Sequence, residues 1–142
     1  MNTGEKRLYL GNATSQSLVL LYILGNTVFT IFYVNNMPVT AELGRFVLLN
    51  IALSLIAFLM AVRQKTYAVR WAYVGIALAV FQLLRMFWIP EVIVNPMRLG
   101  LQIMLVFTAG FVFIASVICY KRATERQNFI TENNIDLATL QQ

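Results

Sequence analysis

Four long apolar runs separated by short polar breaks dominate the chain: Leu18 to Val34, Leu43 to Val62, Trp71 to Ile89, and Leu99 to Tyr120. A helix needs about 20 mostly apolar residues to cross a bilayer, and each run is close to that length. In lipid, only backbone that closes its own hydrogen bonds is tolerated. The pattern therefore predicts an all-α integral membrane protein, an antiparallel bundle of four transmembrane helices over about 16–35, 42–63, 69–89 and 98–121.

The breaks have a chemical basis. Asn35-Asn36-Met37-Pro38 ends the first run, because proline lacks an N–H and restricts the residue before it. Arg63-Gln64-Lys65-Thr66 is a short polar turn, and Pro90 and Pro96 bracket the third link. Links this short favour antiparallel neighbours. Beyond Tyr120 the chain turns polar, and residues 122–142 read as a cytosolic, partly helical tail. The stretch from Lys121 to Glu132 suits an extension of the fourth helix. Asn133-Asn134 is expected to break it, and Ile135, Leu137 and Leu140 suit a last docked turn.

Cation placement sets the expected orientation, since cytosolic loops carry the excess of lysine and arginine. One side holds eight, namely Lys6, Arg7, Arg63, Lys65, Arg70, Lys121, Arg122 and Arg126. The other holds three, namely Arg45, Arg98 and, near its edge, Arg85. Both ends are thus expected in the cytosol of a multi-pass protein of the cell membrane, with the basic face on anionic headgroups. Aromatic residues agree, with Tyr33 and Trp88 at the outer edge and Tyr67, Trp71 and Tyr120 at the inner. Lys6 and Arg7 precede the first run as in a signal peptide. That run is long for an h-region and no small-x-small site follows it, so it is expected to be retained. The sequon Asn12-Ala13-Thr14 would face the cytosol and carries no meaning there.

Composition supports the membrane reading and removes several chemistries. Apolar residues make up 59% and charged residues 12%, against about 25% charged in an average soluble domain. The net charge of +5 is clustered between apolar runs rather than on one polar face, so no nucleic-acid partner is implied. Histidine is absent and Cys119 is the single cysteine. Internal disulfides, Cys/His zinc sites, histidine-ligated haem, iron–sulfur clusters and histidine-base catalysis are excluded within one chain. No cofactor is expected, and no phosphate loop or nucleophile elbow is present. Cys119 itself would lie at the inner edge, either buried or lipidated.

A shift of 56 residues lays the second hairpin on the first. Asn26 then falls on Gln82, Phe32 on Trp88, Leu43-Gly44 on Leu99-Gly100, and Lys65 on Lys121. This fits a duplicated helical hairpin, but more readily a chance match between similar apolar helices.

Arg85 is the one charge well inside a run, about four residues from its outer end, or about 6 Å. An intramembrane charge is a functional candidate by default. An arginine near a helix end also snorkels to headgroups, and Glu42 or Glu91 stands ready to pair with it there. Thr30, Asn50, Gln82 and Gln102 lie at comparable depth, one from each helix. If these faces converge, they form a polar chamber open to the outside, suited to an anion or a lipid headgroup. The competing reading is interhelical hydrogen bonding. Tyr22, Asn26 and Thr30 share one helix face, and Asn50 and Ser54 another. Gly75-x-x-x-Ala79 marks a close helix contact.

Three functions remain. The leading one is a small non-enzymatic polytopic protein, either an oligomer or an accessory subunit of a membrane complex. The alternative is a small transporter or channel for an anion, lipid or amphipathic solute, using Arg85, Gln82, Asn50, Thr30, Gln102 and Asn26. A lipid-acting enzyme fits least, because only Glu42 and Glu91 supply carboxylates on the outer side. A proton-coupled exporter is disfavoured because no span carries a central acid.

Overall fold

The computed structural model describes residues 13–64 and 68–134. The expectations placed on Lys6, Arg7, Lys65, Tyr67, Ile135, Leu137 and Leu140 lie outside those residues. The described chain forms α1 (Ala13–Asn35), α2 (Ala41–Arg63), α3 (Val69–Leu84), a 3₁₀ turn (Arg85–Trp88) and α4 (Asn95–Glu132), with no strand among the described residues. Four helices are long and apolar enough to cross a membrane, the third counted with its 3₁₀ turn.

Local chemistry fixes the boundaries. Thr40 caps α2, its hydroxyl accepting from the Leu43 N–H at 3.3 Å, and Glu42 in the first turn complements the helix dipole. Pro96 sits in the first turn of α4, where a missing N–H costs nothing. α4 ends at Glu132, and Asn134 follows at φ 48°, a left-handed conformation that asparagine tolerates. The third helix differs from the sequence expectation. Its α-geometry stops at Leu84 rather than running to Ile89. Pro90 disfavours helical backbone at Ile89, which is extended at ψ 120°, and the last turn tightens to 3₁₀.

The register is antiparallel between neighbours. Along α1 and α2, Gln16 meets Ala61 and Asn26 meets Asn50. Ser15 of α1 bonds the Ala115 carbonyl of α4 at 2.8 Å, and Gln82 of α3 bonds Thr108 of α4 at 3.0 Å. α4 packs extensively on α1 and α3, whereas α2 and α3 barely meet. A seam therefore runs between α2 and α3.

We call the end carrying links 36–40 and 89–94 distal, and the end where α2 stops and α3 starts proximal. Two apolar clusters fill the bundle. The proximal one contains Val19, Tyr22, Leu53, Ala57, Met60 and Val112, and the distal one Phe29, Tyr33, Leu43, Ile89, Ile93 and Leu105. Ala72, Gly75 and Ala79 of α3 are buried against the rest of the chain. A Cβ at Gly75 would run into Ser116 Oγ and Met60 Cε, so this small-residue stripe is spent on contacts within one chain. Cys119 is also buried, at 1% exposure, which closes it to acylation.

Only 28% of the most apolar window of α1 or α2 is buried in the bundle, rising to 39% in α4. The remaining apolar surface is far larger than the isolated patches a water-soluble monomer exposes. That surface fits a membrane protein.

Candidate functional site

Between the two apolar clusters lies a polar layer to which all four helices contribute. Asn26 is the fourteenth of 23 residues in α1, and Asn50 the tenth of 23 in α2. Each is thus two residues distal of its helix midpoint, about 3 Å at 1.5 Å per residue. Asn26 Nδ2 donates to Ser54 Oγ at 3.1 Å and to the Asn50 carbonyl at 3.3 Å. Gln82 Nε2 donates to Thr108 Oγ1 on α4. The three side-chain amide oxygens of Asn26, Asn50 and Gln82 all turn to one group, the Arg85 guanidinium.

Arg85 Nη1 donates to Asn26 Oδ1 at 3.3 Å and to Gln82 Oε1 at 3.0 Å, and Nη2 donates to Asn50 Oδ1 at 2.8 Å. Its guanidinium carbon lies 4.9 Å from the Phe29 ring centre and 5.4 Å from that of Phe46. Both rings offer their electron-rich faces to the charge. The residue is only 3% exposed.

Snorkelling to the distal surface is thereby overturned. The physical reason is helix polarity. Side chains tilt toward the N-terminus of their helix, and α3 runs from proximal to distal. A residue at its distal end therefore aims back into the bundle. Pairing with Glu42 or Glu91 is also absent, since the acceptors are amide oxygens and no carboxylate is among them.

Arg85, Gln82, Asn50 and Asn26 come together as one cluster. Thr30 stands beside it, its hydroxyl bonded back to the Asn26 carbonyl at 2.7 Å. Gln102 stands apart, half-buried near the start of α4. The position that α4 supplies is Thr108, which sequence reading passed over. A signal for it existed: Leu101, Leu105, Thr108, Val112, Ala115 and Cys119 form one stripe of α4 at helical spacing, all of them buried. Thr108 interrupts that stripe with a hydroxyl, while Gln102 lies off it.

The polar layer lies between the two apolar clusters, with the Arg85 side chain buried in it. A guanidinium carries five N–H donors, and three are accounted for here. Among the described residues, the Nε proton and one on Nη2 find no acceptor. Arg85 also lines a cavity of about 50 Å³ together with Phe29, Tyr33, Phe46, Leu49, Trp88 and Ile89. A separate groove of about 380 Å³ lies between α1 and α2, lined by Asn26, Thr27, Thr30, Asn50 and Ser54 together with apolar side chains. The Asn26–Asn50 pair stands between groove and guanidinium. Among the described residues, no cluster of three or more His, Cys, Asp or Glu side chains is placed to hold a metal. Chemically, the site offers a fixed positive charge, spare hydrogen-bond donors and apolar walls.

Comparison of the chain with known protein families, with characterised proteins and with solved structures finds no match.

Proposed function

We propose that this chain is a small non-enzymatic membrane protein that binds an anionic ligand at Arg85, in the manner of a binding protein or carrier. In this reading the four helices cross the cell membrane, the distal end faces out, and both chain ends are cytosolic. Arg63, Arg70, Lys121, Arg122 and Arg126 then meet anionic headgroups on the inner side.

One observation carries the reading. A guanidinium sits near the middle of an apolar bundle, held by three neutral oxygens and no carboxylate. Burying an uncompensated charge is costly, and amide dipoles and ring faces offset only part of that cost. An anion would complete the compensation and take up the unspent donors.

The test is thermal unfolding of the purified chain in neutral detergent, with and without anions. A ligand that binds only the folded state raises the midpoint in proportion to ln(1 + [L]/Kd). Inorganic phosphate, a soluble carboxylate and anionic amphiphiles are the probes. At least one is expected to raise the midpoint of the wild type and not that of Arg85→Gln. Equal response of both proteins to every anion would remove the proposal.

A second reading, an oligomer or accessory subunit of a membrane complex, is favoured by the end of α4. Lys121 to Glu132 continues that helix as a charged rod, mostly exposed, with Arg122 and Glu125 3.8 Å apart on it. Such a rod suits a partner in the cytosol. Purification as a lone monomer, with no partner retained in mild detergent, would count against it.

The duplicated hairpin belongs to the same proposal. The groove between α1 and α2 has a counterpart of about 340 Å³ between α3 and α4, lined by Ala79, Leu83, Val106 and Gly110. These are the positions on which Ile23, Thr27, Asn50 and Ser54 fall under the shift of 56. Thr27, Asn50 and Ser54 in the first groove thus fall on Leu83, Val106 and Gly110 in the second.

A further inference from the structure

We infer that the anion reaches Arg85 sideways from the lipid, as the carboxylate or phosphate head of an amphiphile, through the seam between α2 and α3. The inference rests on the anion-binding reading and adds to it the ligand's class and route.

The route follows from what surrounds the guanidinium. On the distal side, Tyr33 and Phe46 stack with ring centres 3.8 Å apart and planes inclined by 19°. Leu43, Ile89, Ile93 and Leu101 close the bundle around them. Water outside thus meets an apolar plug. On the proximal side, Leu53, Leu78, Ala79 and Val112 form a second apolar layer. Toward the α1–α2 groove, the Asn26 and Asn50 amides already occupy one edge of the guanidinium.

The remaining direction is the seam. α2 and α3 barely touch, and the Arg85 cavity extends to Leu49 on α2 and Trp88 on the 3₁₀ turn. Those two are exposed, at 39% and 63%, while Phe46 is half-buried and Phe29, Tyr33 and Ile89 are buried. The mouth therefore opens on the side of the bundle near its distal edge, where in a bilayer headgroups give way to chains. A cavity of about 50 Å³ has room for a few water-sized groups, enough for a headgroup oxygen set but not for a chain. An amphiphile fits both constraints, with its charged group at Nε and Nη2 and its tail left in the lipid. Those two nitrogens lie on one edge of the guanidinium, the edge that carboxylates and phosphates bridge.

Trp88 provides the readout. The full chain carrying Trp71→Phe is placed in phosphatidylcholine vesicles, leaving Trp88 as the sole tryptophan. A fatty acid brominated along its chain is compared with its methyl ester at equal membrane fraction. The acid is expected to quench Trp88 at least threefold more than the ester. Arg85→Gln should reduce the acid to the level of the ester, with Arg85→Lys intermediate. Leu49→Phe, at an exposed position on the mouth, should weaken acid quenching with no change in folding, which covers the case that Arg85→Gln does not fold. Acid and ester quenching alike would overturn the lateral route. If acetate or phosphate added from the water binds in an Arg85-dependent way while the acid gains nothing, the route is wrong and the anion-binding reading survives. If no anion from either source shows Arg85-dependent binding, both fall.

Discussion

Arg85 Nη2 donates to Asn50 Oδ1 at 2.8 Å, joining positions 35 apart in sequence and tying the 3₁₀ turn at the end of α3 to α2, two helices that otherwise barely touch. This contact bridges the seam deep in the bundle. It binds the distal end of α3 to the centre of α2, and it fixes the direction in which the positive charge points.

The coupling between these two residues is measurable. A double-mutant cycle with Arg85→Met and Asn50→Leu should return about 1 kcal/mol, above the average of roughly 0.6 for hydrogen bonds between membrane helices and below their maximum of about 1.7. Reversible unfolding in mixed detergent micelles gives the four stabilities. A coupling near zero would mean that the contact adds nothing to the fold.

Thr108 and Gln102 make a matched pair on α4. Thr108 is the acceptor for the buried Gln82 amide, so Thr108→Val strands a donor and should cost about 1 kcal/mol or more. Gln102→Leu touches no member of the cluster and should stay within about 0.5 kcal/mol of wild type. The reverse order would mean that α4 is rotated relative to the arrangement described.

Glycine positions test the packing of the proximal half. Gly75→Ala presses a methyl onto Ser116 and Met60 and should cost about 1–3 kcal/mol, as overpacking does. Met60 is flexible at its end, which favours the lower figure, and adding Ser116→Gly should recover part of the loss. Gly110 faces open space, so Gly110→Ala should be neutral within about 0.5 kcal/mol. Melting curves of the three variants decide the matter.

Orientation is tested by labelling in intact cells on a Cys119→Ala background. Val92 in the distal link is 73% exposed, and Val92→Cys should react with an impermeant maleimide from outside. Gln127, exposed on the polar end of α4, should react as Gln127→Cys only after the cells are opened. The opposite pattern would invert the topology.

Much of the fold is legible without tertiary information. Run length and the placement of Pro38, Pro90 and Pro96 mark four helices and their links. These are local properties: apolar length decides what can lie in lipid, and proline acts on its own backbone and on its immediate neighbours. The same locality flagged Asn26, Asn50, Gln82 and Arg85, because a polar group in an apolar run is conspicuous wherever it points.

Contact between these residues was a different matter. Helical periodicity assigns a residue to a face but names no partner for that face: the stripe of α4 sets Thr108 apart from Gln102, and only its packing on α3 shows that Thr108 meets Gln82. Depth along the span likewise placed Arg85 near an edge, whereas the tilt of its side chain and three waiting amide oxygens carry its charge toward the middle. The chain alone determined which groups must be rescued from lipid. The packing of four helices decided which of them rescue one another, because hydrogen bonds in an apolar medium form only between groups brought within about 3 Å.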